Sequence, residues 1–255
     1  MKAIILAGGY GRRLSPITDF ISKSLLPING IPLISYIIES INKLPDEYKA
    51  EKIVISTNKK YSSQFEYYKA HSGFNNLELI VEPSDSEENK LGAIRGLEYV
   101  LKKVGCDEAL VVAGDNYFDF DLKPLLEKYY STKCTVVGLY KIEDKNEAAR
   151  FGVVQVDEEG RIVSFVEKPS SPSSSTVSTG IYVLNKEAID MIQEYLSDHK
   201  DRKDSTGSFI SWLIGKMPVY SYTFEGRWED IGTKENYRNL INSLDKSVAK
   251  AQSQA

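Results

Sequence analysis

Two hydrophobic periods alternate along the first half of the chain. Residues 2–7 form a short apolar run that stops at Gly8-Gly9, the pattern of a buried strand meeting a turn. Across residues 31–44 the apolar positions fall at Leu33, Ile34, Ile37, Ile38 and Ile41, a helical spacing, with Pro32 where a first helical turn tolerates it. Residues 52–56 and 77–81 predict further strands, and residues 62–70 and 91–104 predict helices. A fourth strand over residues 109–113 closes in Gly114-Asp115-Asn116. Strands and helices at this rhythm argue for βαβ units in a parallel, doubly wound sheet.

The second half loosens that alternation. Residues 134–141 read as a strand. Residues 152–156 and 161–167 flank Asp157-Glu158-Glu159-Gly160, a hairpin signal. A strand at 178–184, a helix at 186–196, a strand at 218–224 and a helix at 234–244 follow. Antiparallel strands are therefore expected to extend the parallel sheet. The fold class is α/β: a doubly wound, mostly parallel mixed sheet flanked by helices. It reads as one domain over 1–244, with halves at 1–132 and 133–244. The Ser-rich stretch 170–176 reads as a flexible connection, and the small, polar residues 245–255 as a flexible tail.

Composition narrows the function classes. The 255 residues are 42% hydrophobic and 27% charged, with 32 basic and 36 acidic side chains and a net charge of −4. That balance offers no electrostatic footprint for nucleic acid. No apolar run nears the roughly 18 residues of a membrane span. The N-terminus lacks the basic region and cleavage site of a signal peptide. Two cysteines, Cys106 and Cys134, are too few for a disulfide framework and point to a reducing compartment, so a cytoplasmic protein is expected. Two histidines, His71 and His199, exclude a His-rich metal cluster.

Five segments could carry chemistry. Leu6-Ala7-Gly8-Gly9-Tyr10-Gly11-Arg12-Arg13 ends a strand in three glycines, which can bring backbone N–H groups against phosphate oxygens, with two cations alongside. The bland alternative is an ordinary glycine-rich turn. A dinucleotide fingerprint fails, because Leu14 stands where its third glycine belongs and the next strand ends without an acidic residue. Lys23 follows close enough to reach the same phosphates, although such lysines are more often surface cations. Asp115 lies at a strand's C-terminal end, where open α/β sheets bind ligands, and is a natural Mg²⁺ ligand or a mere turn residue. Glu167-Lys168-Pro169 follows a strand. Asp230, in Trp228-Glu229-Asp230-Ile231-Gly232-Thr233, is a second aspartate or a helix cap.

Together LAGGYGRRLSP, SKSLLP, AGDN, FVEKP, STGIY and WEDIGT occur in the order seen in sugar-1-phosphate nucleotidylyltransferases. The chain resembles the short glucose-1-phosphate thymidylyltransferase type over residues 1–244. The resemblance implies attack of a sugar 1-phosphate on the α-phosphorus of a nucleoside triphosphate, with Mg²⁺ as cofactor. Leu6, Ala7, Gly8, Gly9 and Gly11 would then line the nucleotide. Arg13 would hold the departing phosphates, and Lys23 would neutralise charge near the leaving group. Asp115 and Asp230 would hold Mg²⁺. Lys168 would bind the sugar phosphate, while Asn116, the Gly152 backbone, Glu167 and Thr179 would touch sugar hydroxyls. The implied partners are those two small molecules, with no nucleic acid or membrane, and a homo-oligomer stays open.

The base pocket departs from the thymidine type. Glu82 stands where a glutamine reads the pyrimidine edge, followed by an acidic insertion before Gly92. An ionised glutamate only accepts, which suits the two N–H donors of guanine. A backbone N–H at Gly92 or Ala93 would restore pyrimidine binding. From the frequency of such members in the family and the chain's length, the resemblance implies dTTP or UTP with glucose 1-phosphate. The alternatives are a mannose-1-phosphate guanylyltransferase using GTP and a non-catalytic regulatory subunit of the same fold. No regulatory site is carried over to residues 198–208, which lack the family's acidic helix start. No hexapeptide repeat announces a β-helix.

Overall fold

The computed structural model describes residues 1–199 and 204–252, with side chains through Leu244. Strand β1 (Lys2–Leu6) lies at the centre of the main sheet. It leads through a glycine loop to the single turn α1 (Ile17–Phe20) and a small hairpin of β2 (Pro27–Ile28) and β3 (Ile31–Pro32). Helix α2 (Leu33–Asn42), β4 (Ile53–Asn58), α3 (Ser62–His71), β5 (Leu77–Glu82), α4 (Ala93–Val104) and β6 (Ala109–Ala113) complete the βαβ part. β1 runs parallel to both β4 and β6, with Ile4 beside Val54 and Val111. Alternate side chains feed two cores. Ala3 and Ile5 pack with Ile34, Ile37, Ile38 and Ile41 of α2. Ile4 packs with Ile94, Leu97 and Val100 of α4. A strand buried on both faces reads as continuous apolar sequence, which is why residues 2–7 show no alternation.

The second half adds β7 (Asn116–Phe118), α5 (Lys123–Thr132), β8 (Val136–Lys141), the hairpin β9 (Gly152–Val156) and β10 (Ile162–Glu167), and β11 (Thr176–Leu184). Then come α6 (Lys186–Asp190), α7 (Ile192–Asp198), α8 (Thr206–Leu213), β12 (Tyr220–Phe224), β13 (Trp228–Asp230) and α9 (Lys234–Gln252). β11 pairs antiparallel with β6, so the sheet changes sense there. The expected mixed α/β sheet is present, with strand order β10-β9-β11-β6-β1-β4-β5 and β8 and β12 branching from β11. Three details differ from expectation. The helix placed at 31–44 begins only at Leu33, because Ile31 and Pro32 pair with β2. The helix at 186–196 is two helices meeting at Met191. Residues 245–252 continue α9 where the pattern places a tail, and 253–255 lie outside the described residues.

Candidate functional site

The glycine loop leaves the C-terminal end of β1, tied by Ala7 N–H to Ser56 O (2.8 Å) and by Gly114 N–H to Leu6 O (2.9 Å). Its glycines serve different needs. A Cβ at Gly8 would lie 2.6 Å from Glu82 Oε1, so Gly8 permits that carboxyl to approach. Gly11 has φ +64°, and its carbonyl accepts from Thr18 Oγ1 at 2.8 Å. Gly9 has nothing within 4 Å of where a Cβ would stand, which leaves backbone open toward a ligand. The two arginines part company. Arg12 is 72% exposed and reaches Glu88 loosely at 3.8 Å. Arg13, also exposed, turns toward the aspartates, its Nη2 3.0 Å from the place of a Gly232 Cβ and its charge felt by Asp115 and Asp230.

Charge converges at the end of β6. Lys23, in the 3₁₀ turn Lys23–Leu25, pairs with Asp115 Oδ2. The β7–β13 ladder sets Asp230 opposite Asn116, and Ile231 N–H donates to Asp115 O at 2.9 Å, so the two aspartates meet. Burial pushes Asp115 up, but the Lys23 ammonium with Arg13 behind it outweighs burial and holds this carboxyl below the ordinary range. Burial and the Asp115 charge push Asp230 up to about 6, with Lys23, Arg13 and Arg150 pulling the other way. Two facing carboxylates, one of them destabilised by its neighbour's charge, are a donor set that a divalent cation relieves. Mg²⁺ is commonly held by one or two carboxylates plus substrate phosphates, and these residues fit it. Among the described residues no group of three or more His, Cys, Asp or Glu could hold a metal.

Beside this pair lies a cavity of about 190 Å³. Of the candidate residues, Arg13, Asp115, Asn116, Gly152, Glu167, Lys168, Thr179 and Asp230 line it, while Lys23, the loop glycines, Glu82 and Gly92 do not. Burial lifts the Glu167 carboxyl, and Lys168, 3.7 Å away, offsets part of that. Gly207 and Gly152 make room for it, since Cβ atoms there would lie 1.9 and 3.1 Å from Glu167 Oε2. Asn116 and Thr179 are partly committed elsewhere. Asn116 Nδ2 donates to Thr179 O, and Thr179 Oγ1 donates to Gly138 O at 2.8 Å, leaving their acceptors for a ligand. The motifs missed Arg150, Tyr182, Thr206 and Trp228 in the same wall. Tyr182 OH donates to Thr206 Oγ1 at 3.1 Å. Trp228 is 7% exposed, and its indole N–H has no acceptor among the described residues. Tyr182 and Trp228 sit inside quoted motifs, so their signal was present. Arg150 and Thr206 had none.

The residues expected to line a nucleotide lie apart from this cavity. Glu82 ends β5, is 6% exposed, and accepts from Ser56 Oγ at 2.6 Å. Burial raises its carboxyl, Ser56 lowers it, and Asp204 raises it. Gly92, with φ +90°, precedes α4, whose Ile94 and Arg95 N–H groups donate to Asp204 Oδ1 and Oδ2 at 2.8 and 3.0 Å. The acidic insertion folds against the glycine loop, with Tyr10 OH and Ser84 Oγ 2.7 Å apart. A larger apolar groove, about 840 Å³, runs between residues 20–32 and α3 and contains none of the candidate residues. No helix among the described residues is long and apolar enough to cross a membrane.

Comparison with known proteins places the chain. It is 30% identical over 238 residues to the bifunctional protein GlmU of Methanocaldococcus jannaschii, covering 91% of this chain and 51% of that protein. It is 31% identical over 244 residues to the D-glycero-alpha-D-manno-heptose 1-phosphate guanylyltransferase of Campylobacter jejuni, covering 95% of this chain and all of that protein. A solved Bacillus anthracis structure, assigned as a glucose-1-phosphate thymidylyltransferase and in complex with a sucrose, matches with TM-score 0.80 and 27% identity. That match covers 95% of this chain and 94% of that one. The chain thus spans about half the length of one relative and the whole of another. Residues 2–247 match the nucleotidyl transferase family, and the chain belongs to it.

Proposed function

We propose that the protein transfers a nucleotidyl group from a nucleoside triphosphate to a sugar 1-phosphate. A phosphate oxygen of the sugar attacks the α-phosphorus, the bond from that phosphorus to the β-phosphate's bridging oxygen breaks, and pyrophosphate leaves. The observation that carries this reading is that Arg13, Asp115 and Asp230, from three separate segments, line one cavity with Glu167 and Lys168, while Lys23 pairs with Asp115 from a fourth segment. Such a transfer needs positioning and charge neutralisation more than covalent catalysis. Arg13 holds the departing phosphates. Lys23 neutralises charge near the leaving group, Lys168 binds the sugar phosphate, and Glu167 accepts from sugar hydroxyls. Mg²⁺, held by Asp115 and Asp230, would polarise the α-phosphate. A regulatory subunit is disfavoured because all four charged groups are retained.

Glucose 1-phosphate with dTTP or UTP is the leading substrate pair. The Bacillus anthracis likeness supports it. A backbone N–H at Gly92 or Ala93 would supply the donor that the pyrimidine edge needs beside the Glu82 acceptor. The second reading is GTP, favoured by the Campylobacter jejuni relative and by an ionised Glu82 accepting two N–H groups.

The test is pyrophosphate release over a grid of nucleoside triphosphates against sugar 1-phosphates with Mg²⁺. A hit with dTTP or UTP upholds the first reading, and a hit with GTP the second. Silence across the grid from folded protein removes the catalytic reading and brings the regulatory subunit forward.

A further inference from the structure

Lys23 reaches Asp115 from a strap, residues 17–23, that has little packing on its outer side. α1 is a single turn, Phe20 is 83% exposed, and Phe20 and Ile21 border the open apolar groove. Hydrogen bonds from α3 and the residue before it hold the strap instead. Tyr61 OH donates to Thr18 O at 2.6 Å. One turn further on, Gln64 grips the backbone with both ends of its amide. Nε2 donates to Phe20 O at 2.9 Å, and Oε1 accepts from Ser22 N–H at 3.0 Å. The amide orientation follows from its partners, because a carbonyl only accepts and an N–H only donates. Ser22 immediately precedes Lys23.

We propose that Gln64 is a positioning residue for Lys23, fixing through the Phe20 and Ser22 backbone where the ammonium stands beside Asp115. The inference rests on the nucleotidyl-transfer reading. Gln64 is half-buried on a helix whose core anchors are Phe65 and Tyr68, so its loss leaves the fold's packing intact. The ordinary alternative is that Gln64 merely stabilises a loop. The two differ in scale: misplacing a charged group by about 1 Å costs a reaction on the order of 100-fold, far more than two partly exposed hydrogen bonds cost the fold.

The experiment is a double-mutant cycle on pyrophosphate release, using the substrate pair the wild type accepts. Gln64→Leu should lower kcat about 10- to 100-fold while the sugar 1-phosphate KM moves less than about threefold and Tm stays within a few degrees. In a Lys23→Ala background, or Lys23→Arg if the alanine variant is silent, Gln64→Leu should cost almost nothing further. Gln64→Glu keeps the acceptor for Ser22 N–H and should recover part of kcat. Equal fractional losses with and without Lys23, or a change in KM alone, overturns the inference while leaving the reaction standing. An inactive wild type overturns both, a result distinct from an active wild type with additive losses.

Discussion

The carboxyls of Asp115 and Asp230 meet at the edge of the cavity with opposite displacements, Asp115 held below its ordinary range and Asp230 lifted to about 6. The asymmetry has a simple source. Lys23 is paired directly with Asp115, so Asp230 feels burial and its neighbour's negative charge with less compensation.

That asymmetry sets a pH dependence. Asp230 keeps its proton in the folded protein to about pH 6, whereas unfolded it titrates near 3.8. Between those values the folded state binds more protons, so this group's contribution to stability falls as pH rises and levels off above about 6. Without divalent cation, Tm should therefore decline by a few degrees across that window. Asp230→Asn should flatten the decline. Asp115, displaced downward, contributes stability above its unfolded value that is lost as pH falls through the still lower folded one, so its effect lies below the window. Scanning calorimetry from pH 4 to 8 checks this, and an unchanged slope in Asp230→Asn would contradict it.

Mg²⁺ should reverse the cost. A cation between two carboxylates favours their ionised forms, so Mg²⁺ should raise Tm at pH 7.5 and have little effect at pH 4. Asp115→Asn or Asp230→Asn should remove that rise, and chelator should abolish pyrophosphate release. A thermal shift that survives both substitutions would place the cation elsewhere.

The adjacent arginines should behave very differently. Arg13→Ala should lower kcat/KM by about 100-fold or more, the scale of a lost transition-state charge contact. Arg12→Ala, which frees only a loose and exposed pair with Glu88, should stay within about threefold. Steady-state kinetics of the two variants decide it, and equal losses would mean that both guanidinium groups reach the phosphates.

The first two loop glycines also separate. Gly8→Ala drives a Cβ to 2.6 Å from Glu82 Oε1, so it should cost about 1–3 kcal/mol and weaken nucleotide binding. Gly9→Ala meets no atom and should leave Tm nearly unchanged. If the wild type takes GTP, Glu82→Gln, which presents a donor and an acceptor at any pH, should move its preference toward dTTP or UTP; an unchanged preference for GTP would show that Glu82 does not read the base.

Much of this protein was legible in its sequence. The periods of residues 2–113 predict the βαβ half, because an apolar run or a 3.6-residue repeat is a local property that survives folding. The motifs name residues that do line one cavity, from Arg13 through Lys168 to Asp230. The pattern could not show β7 and β13, two three-residue strands defined only by each other, although their register brings Asp230 beside Asp115. Nor could it show that Arg12 reaches Glu88 while the also exposed Arg13 turns toward the aspartates, or that Thr206 and Arg150 join the cavity wall. Gln64 is a polar helix residue like many others until the strap crosses it. Sequence by itself determined the longer strands and helices and which chemical groups are available, since both follow from residue type and short-range spacing. Only tertiary structure decided which groups share a cavity, which charges pair and which carboxyl keeps its proton, because those depend on distances between segments far apart in the chain.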